Sequence, residues 1–243
     1  LFFLLFTGYF MLRPVRETMG IAGGVHNLQW LFTGTFLATL AALPLFGWLA
    51  STVSRRRIVP FVYGFFVLNL LGFAAGMALW PDDPWTGRAF YIWLSVFNLL
   101  AVSLAWSVLA DIFASNEAKR LFALIAGGAS LGGLTGPLLG ALLVAPLGHA
   151  GLLAVSALLL GSSAAAAMWL HTWRDRNPLP PSADSAETGN GQRRTPLGGN
   201  PFAGAVQVFR SPYLIGIALF VVLLASVSTF LYFEQARLVA DYF

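Results

Sequence analysis

The chain has 243 residues, of which 58% are hydrophobic and only 10% are charged, and its mean hydropathy is +0.75. A soluble domain carries about 25% charged residues, so the composition excludes a soluble protein and predicts an all-α membrane protein. The net charge of +4 comes mostly from arginines that lie between apolar segments, which argues against a nucleic-acid partner. The chain contains no cysteine, so a disulfide framework and a thiolate metal site are excluded.

Seven apolar segments reach the length of about 20 residues that a membrane-spanning helix requires. The first runs to about Met19, and the others cover residues 28–49, 58–79, 89–109, 122–144, 152–170 and 213–233. Continuous apolar runs of this kind exclude a β-barrel, whose strands alternate in polarity. The chain starts without Met inside an apolar run, so we expect it to lack its natural N-terminus, and we expect its other end to be cut as well.

Basic residues between the spans predict the orientation of the chain. Arg55, Arg56 and Arg57 follow span 2, and Lys119 and Arg120 follow span 4. The positive-inside rule therefore places these loops in the cytoplasm, with span 1 running outward across the inner (plasma) membrane. The predicted domains are a six-span N-terminal half at 1–171, a cytoplasmic linker at 172–212 with an amphipathic helix near 201–210, and span 7 at 213–243.

Span 1 contains an unusual group of charges in the stretch YFMLRPVRETMG. Arg13, Arg16 and Glu17 lie within about one helical turn, and Arg13 and Glu17 have the i, i+4 spacing of an ion pair. Pro14 weakens the helix between them. A broken helix with charges predicts a polar substrate site at membrane depth. The alternative is that span 1 ends here and that the charges lie at the outer rim of the membrane.

An internal comparison extends this candidate site to span 7. Aligning GYFMLRPVR at 8–16 with TFLYFEQAR at 229–237 places Arg13 on Glu234 and Arg16 on Arg237. Such a match is expected if spans 1 and 7 begin two parallel six-span repeats. Asp111 follows span 4 at the negative end of a helix dipole, where an acid needs a basic partner or remains exposed at the rim.

Two further stretches resemble motifs of the major facilitator superfamily. GWLASTVSRRRIVP at 47–60 is similar to that family's cytoplasmic signature and suggests a cytoplasmic gate formed by Gly47, Arg55 and Arg56. A plain positive-inside loop is the alternative. Span 5 resembles the family's antiporter motif through the residues Gly132, Gly136, Pro137 and Gly140. The resemblance implies that this stripe packs against a helix of the second half, whereas the alternative is ordinary helix packing.

Three stretches together resemble the nucleotide-transporter branch of that superfamily, the ADP/ATP carrier-like proteins. They are YFMLRPVRETMG, ADIFASNEAKRLFALIAGGASLGG and STFLYFEQAR. The matching positions are Leu12, Arg13, Arg16 and Glu17 in span 1, and Asp111 with Glu117, Ala118, Lys119 and Arg120 after span 4. The resemblance implies a major facilitator-type six-helix bundle plus the first helix of a second half, and charges that recognise a nucleotide during exchange.

The functional hypothesis is a secondary transporter that works by alternating access and exchanges an anionic phosphorylated metabolite or nucleotide. It is not an enzyme, and it needs no cofactor and no metal. Its partners are the substrate, the lipid bilayer and the missing C-terminal half of the same chain. The predicted substrate-binding residues are Arg13, Arg16, Glu17, Asp111, Glu234 and Arg237. The alternatives are a proton-coupled exporter that uses Glu17 or Glu234, and a membrane scaffold or lipid-handling protein.

Overall fold

The computed structural model describes residues 1–22, 28–52, 55–81, 83–113, 115–177 and 208–242, and its regular elements in these ranges are α-helices. They are α1 (Phe2–Ala22), α2 (Leu28–Thr52), α3 (Arg55–Leu79), α4 (Pro84–Ile112), α5 (Ser115–Arg176) and α6 (Pro212–Tyr242). The predicted all-α fold is therefore confirmed, and each predicted span lies within one of these helices.

Five stretches within the described helices are long and apolar enough to cross a bilayer. They are Leu28–Leu49, Arg57–Leu79, Pro84–Leu109, Leu121–Arg176 and Pro212–Gln235. The fourth stretch has 56 residues, more than twice the length that one crossing requires. α1 has 21 residues, a sufficient length, but it carries Arg13, Arg16 and Glu17 near one end. The chain is thus a multi-pass membrane protein.

α5 is divided by a kink at Gly148, whose backbone angles are φ 64° and ψ −176°. Glycine adopts a positive φ without a steric penalty, because it has no Cβ. The kink separates a first arm (115–147) from a second arm (149–176), which hold the predicted spans 5 and 6. The two arms run in opposite directions along α1. In the first arm, residues further along α5 contact residues further along α1, so the two helices are parallel. In the second arm, residues further along α5 contact earlier residues of α1, so the two helices are antiparallel.

The first arm of α5 approaches the backbone of α1 through a stripe of glycines. A Cβ added at Gly132, Gly136 and Gly140 would lie 2.6, 2.7 and 3.3 Å from the backbone oxygens of Phe3, Thr7 and Met11, respectively. The three glycines of α5 and the three contacted residues of α1 are each spaced by four residues, so the two helices run side by side in the same direction. Small residues allow this close contact, since any side chain would separate the two backbones.

The second arm of α5 holds α1 from another side through serine hydroxyls. Ser156 donates a hydrogen bond to the carbonyl oxygen of Gly8 at 3.0 Å, and Ser163 donates to that of Leu1 at 3.2 Å. The hydroxyls of Thr7 and Thr135 are 3.2 Å apart and add a polar contact to the first arm. α1 is therefore held between both arms of α5.

The glycine stripe packs against α1 within the described helices. Its implied contact with a helix of the second half stays a prediction. The predicted break in α1 is wrong. α1 continues through Pro14 to Ala22 and is not broken there. Proline removes one backbone hydrogen bond, and the packing of α1 against α5 compensates for this loss. The helix also remains regular at Pro137, since Gly148 is the residue of α5 with non-helical backbone angles.

α4 is oriented by an aromatic cluster that it shares with α3. The rings of Phe66, Phe73, Phe90, Trp93 and Phe97 pack with centroids 5.0 to 6.2 Å apart. Tyr63 of α3 donates a hydrogen bond to the carbonyl oxygen of Ala101 at 3.1 Å. At its other end, α4 is capped by Asp83, whose carboxylate accepts from the amide of Thr86 at 2.9 Å. These contacts fix which side of α4 faces α1.

The predicted linker lies largely outside the described residues. Residues 178–207 include most of the predicted amphipathic helix, and within that prediction only 208–210 are described, as helical. α5 continues to Arg176, beyond the predicted boundary at residue 171. The division into two halves and a cytoplasmic linker stays a prediction.

We expect Gly136→Ala to destabilise the intact protein, because the new methyl group would lie 2.7 Å from the carbonyl oxygen of Thr7. Overpacking of this kind costs about 1–3 kcal/mol in the free energy of unfolding. Gly161→Ala is the matched control, since its Cβ would meet no atom within 4 Å. The measurement is the thermal unfolding midpoint in detergent, and equal midpoints for the two variants would contradict the contact.

Candidate functional site

Arg16 and Glu17 form an ion pair near the C-terminal end of α1. Nη1 of Arg16 lies 3.2 Å from Oε1 of Glu17, and the side chains are 17% and 26% exposed. The pair lies about 8 Å before the end of the helix, at 1.5 Å per residue. Removing charges from water is costly unless they are paired, so the carboxylate compensates the guanidinium at this depth.

Tyr91 of α4 packs against the same guanidinium. The Cζ atom of Arg16 lies 4.0 Å from the centroid of the Tyr91 ring, which is a cation–π contact. Tyr91 has no exposed surface. On α1, Gly20 provides the space for the ring, because a Cβ there would lie 2.8 Å from Cε2 of Tyr91. The Tyr91 ring thus covers one face of the Arg16 guanidinium. The N–H groups of Arg16 form hydrogen bonds along the edges of the guanidinium plane.

Tyr232 brings α6 to the ion pair. Its hydroxyl donates a hydrogen bond to Oε2 of Glu17 and lies 3.4 Å from the hydroxyl of Tyr91. The ring of Phe32 on α2 packs 5.4 Å from Tyr232 and 5.0 Å from Phe233, measured between ring centroids. Four helices, α1, α2, α4 and α6, therefore meet around Arg16 and Glu17.

One donor of Arg16 has no partner in the described part of the chain. The Nε atom of Arg16 is buried and makes no hydrogen bond there. An unsatisfied buried donor costs about 1–3 kcal/mol, so the site favours an additional acceptor. An anionic oxygen is the strongest such acceptor, because an arginine edge binds carboxylate or phosphate with well-defined geometry. The arrangement is thus chemically suited to binding an anion.

Arg13 does not share this environment. It lies on the exposed side of α1 and has no ion pair or hydrogen bond within the described residues. The predicted pair between Arg13 and Glu17 is wrong, because Glu17 binds Arg16 instead. Both arginines are within one turn of Glu17, and Tyr91 and Tyr232 stabilise the pair that contains Arg16.

Glu234 and Arg237 of α6 pair with each other. Their side-chain atoms Oε1 and Nη1 are 3.4 Å apart, and the side chains are 45% and 67% exposed. Arg16 binds Glu17, so the described part of the chain holds two separate ion pairs, and the role of Glu234 and Arg237 in a substrate site stays a prediction. Tyr232, two residues before Glu234, makes the contact to α1.

The predicted residues at the opposite end of the helices cannot be placed in a site. The backbone of Arg55 and Arg56 begins α3, and Asp111 lies in the last turn of α4, but their side chains lie outside the described part. Gly47 lies within α2, about one turn before its end. The expected partner of Asp111 and the cytoplasmic gate stay predictions. Among the described residues, no three His, Asp or Glu side chains are grouped as metal ligands.

Sequence reasoning missed the aromatic members of the site. Tyr232 lies inside the stretch STFLYFEQAR, in which only the charged residues indicate a site by sequence. Tyr91 and Phe32 gave no signal, because the chain contains 21 Phe, 8 Trp and 6 Tyr. A tyrosine among so many aromatic residues is recognisable as part of a site only from its contacts with charged groups.

Comparison with known proteins agrees with this architecture. Residues 1–239 match the sequence model of the Major Facilitator Superfamily. No curated protein and no solved structure matches the chain. The family match covers nearly the whole chain, and family members are membrane transporters. This chain, with its all-α multi-pass fold, therefore belongs to the Major Facilitator Superfamily of secondary transporters.

Proposed function

We propose that this secondary transporter exchanges an anionic phosphorylated metabolite or nucleotide, and that Arg16 binds the anionic group. The observation that carries the proposal is the partly buried guanidinium of Arg16, which has a buried Nε donor without a partner among the described residues. A charged side chain inside a membrane helix is costly and marks functional positions in transporters. Exchange and the nucleotide class are supported by the resemblance of span 1 to the nucleotide-transporter branch.

The chemistry of Arg16 favours phosphate over a simple monovalent ion. Its face lies on Tyr91, and one edge already donates to Glu17. Nε is the donor of this side chain that has no partner among the described residues. Arginine binds phosphate through parallel N–H donors, which a lysine ammonium cannot reproduce.

Competition between Glu17 and the substrate for Arg16 supports an exchange mechanism. The carboxylate of Glu17 lies 3.2 Å from the guanidinium of Arg16 and neutralises that charge. A bound anion competes with that carboxylate for the same guanidinium. Glu17 then loses a partner, and its remaining hydrogen bond comes from Tyr232 on α6. Substrate binding is thus linked to the contact between α1 and α6, which are the first helices of the two predicted halves.

The rings beside Arg16 support a nucleotide within the phosphorylated class. Phe32, Tyr232 and Phe233 are each partly exposed, and their ring centroids lie 5.0 to 6.2 Å apart. Aromatic side chains stack favourably on other planar rings, and this applies to a nucleobase as well. An arginine next to such rings suits a ligand that carries both an anionic group and a planar ring.

The proposal includes the predicted location of the protein. In the inner membrane, with the linker 172–212 in the cytoplasm, α1 runs outward and Arg16 lies closer to the outer surface than to the inner one. A second candidate function is proton-coupled export, which is favoured by the hydrogen bond from Tyr232 to Glu17. Protonation of Glu17 would remove the negative charge that pairs with Arg16.

We expect Arg16→Gln to reduce uptake of labelled nucleotide by the intact protein in vesicles. Hydrogen bonds to charged groups are worth about 1.5–3 kcal/mol, so KM should rise about 10- to 100-fold. Arg16→Lys should restore only part of the affinity, since it keeps the charge but not the planar donors. Arg57→Gln, at an exposed position on α3, is the matched control. Uptake equal to that of the native protein would remove Arg16 from the site.

We expect Glu17→Gln to lower both KM and the maximal exchange rate. The variant removes the carboxylate that competes with substrate for Arg16, so the anion binds more tightly and leaves more slowly. Glu234→Gln is measured beside it, because it neutralises the other acid that a proton-coupled exporter could use, and only Glu17→Gln should lower KM. The measurement is uptake into substrate-loaded vesicles, with and without a pH gradient. Uptake that needs no internal substrate but stops when the pH gradient is dissipated would favour the proton-coupled function.

A further inference from the structure

We propose that Tyr91 is a positioning residue, which holds the Arg16 guanidinium in the orientation that binds the anion and supports the Tyr232–Glu17 contact. The inference deepens the proposed function and rests on it for its effect on transport. Tyr91 has no exposed surface, so its side chain acts through its neighbours and does not touch substrate.

The ring of Tyr91 restricts how Arg16 can move. Cζ of Arg16 lies 4.0 Å from the ring centroid, and the ring covers one face of the guanidinium. Cation–π contacts are strongest where water is excluded, as at this buried ring. A free arginine side chain loses rotamer entropy when it binds a ligand, and a guanidinium that is already held in place loses less of it. The ring therefore increases affinity through preorganisation.

The ring itself is fixed from the side of α1. A Cβ at Gly20 would lie 2.8 Å from Cε2 and 3.0 Å from Cδ2 of Tyr91, so glycine is required for this approach. The neighbours Phe90 and Leu94 are also fully buried, which fixes the rotation of α4. The position of Tyr91 is thus a property of the helix packing and does not depend on a bound substrate.

The hydroxyl of Tyr91 extends this role to the other member of the ion pair. It lies 3.4 Å from the hydroxyl of Tyr232, which in turn donates to Glu17. Tyr91 therefore contacts Arg16 through its ring and reaches the partner of Glu17 through its hydroxyl. One buried side chain on α4 connects the anion-binding residue to the helix that begins the predicted second half.

The first test measures the position of Arg16 without using transport. The intact protein is labelled with phenylglyoxal, which modifies accessible arginines, and the modification of Arg16 is quantified by mass spectrometry. We expect faster labelling of Arg16 in Tyr91→Leu, and labelling close to the native rate in Tyr91→Phe, which keeps the ring. Exposed Arg57 serves as the internal reference in each sample. Equal labelling of Arg16 in the native and Tyr91→Leu proteins would overturn the proposal.

The second test measures uptake of labelled nucleotide. We expect Tyr91→Leu to raise KM about tenfold, which is within the range of a desolvated cation–π contact, and Tyr91→Phe to restore most of the affinity. Tyr213→Leu, at an exposed position on α6, is the matched control. In an Arg16→Gln background, Tyr91→Leu should have little further effect on KM, because the two residues act as a unit. Additive effects would indicate a merely structural role and overturn the proposal.

These outcomes separate the positioning role from the proposed function. If labelling of Arg16 responds to Tyr91 as expected but Arg16→Gln transports normally, the anion site is wrong and the positioning role stands. If Tyr91→Leu fails to fold, Gly20→Ala replaces it, since its methyl group displaces the ring by direct contact. Faster labelling of Arg16 in Gly20→Ala supports the proposal, and unchanged labelling overturns it.

Discussion

The close approach of α1 to the glycine stripe of α5 is the constraint on which the rest of the structure depends. Gly132 and Gly136 bring the two backbones into contact, so α1 cannot rotate without losing that fit. Thr7 faces the stripe, and Arg16 lies two and a half turns further along α1, at about 3.6 residues per turn. Arg16 therefore projects from the opposite side of α1, towards α4 and α6. The glycines that pack α1 thus also determine where its charges lie.

The junction of α1, α4 and α6 combines packing with charge in a way that suits transport. Arg16 and Glu17 belong to the N-terminal helices, whereas Tyr232 reaches them from α6, whose other described residues are largely exposed. Among the described residues, α6 contacts the other helices through the hydrogen bond from Tyr232 to Glu17 and through the packing of Tyr232 and Phe233 on Phe32. A contact of a few side chains can separate and re-form more easily than an extensive packed one.

The predicted spans agree with the helices because a bilayer requires only that a spanning segment be apolar and long enough. A segment of about 20 apolar residues has few alternatives to a membrane-spanning helix. Single prolines and short glycine patterns were less dependable guides to the structure than the apolar segments. Pro14 predicted a break, yet α1 remains helical, because one missing hydrogen bond weighs less than packing along the whole helix. The glycine pattern correctly indicated a close helix contact, but a repeat of small residues does not specify which helix it meets, and only the structure shows that α1 packs there.

The sequence by itself determined the class of the protein, the positions of its spans and the presence of a charged group beside its first apolar segment. Only the tertiary structure decided which of these charges act together. Helix geometry by itself favours the i, i+4 pair of Arg13 and Glu17 over the adjacent residues Arg16 and Glu17. The choice is made by Tyr91 and Tyr232, which lie on other helices and are far from Glu17 in the chain. Partners that meet only through packing leave no local pattern in a sequence this rich in aromatic residues.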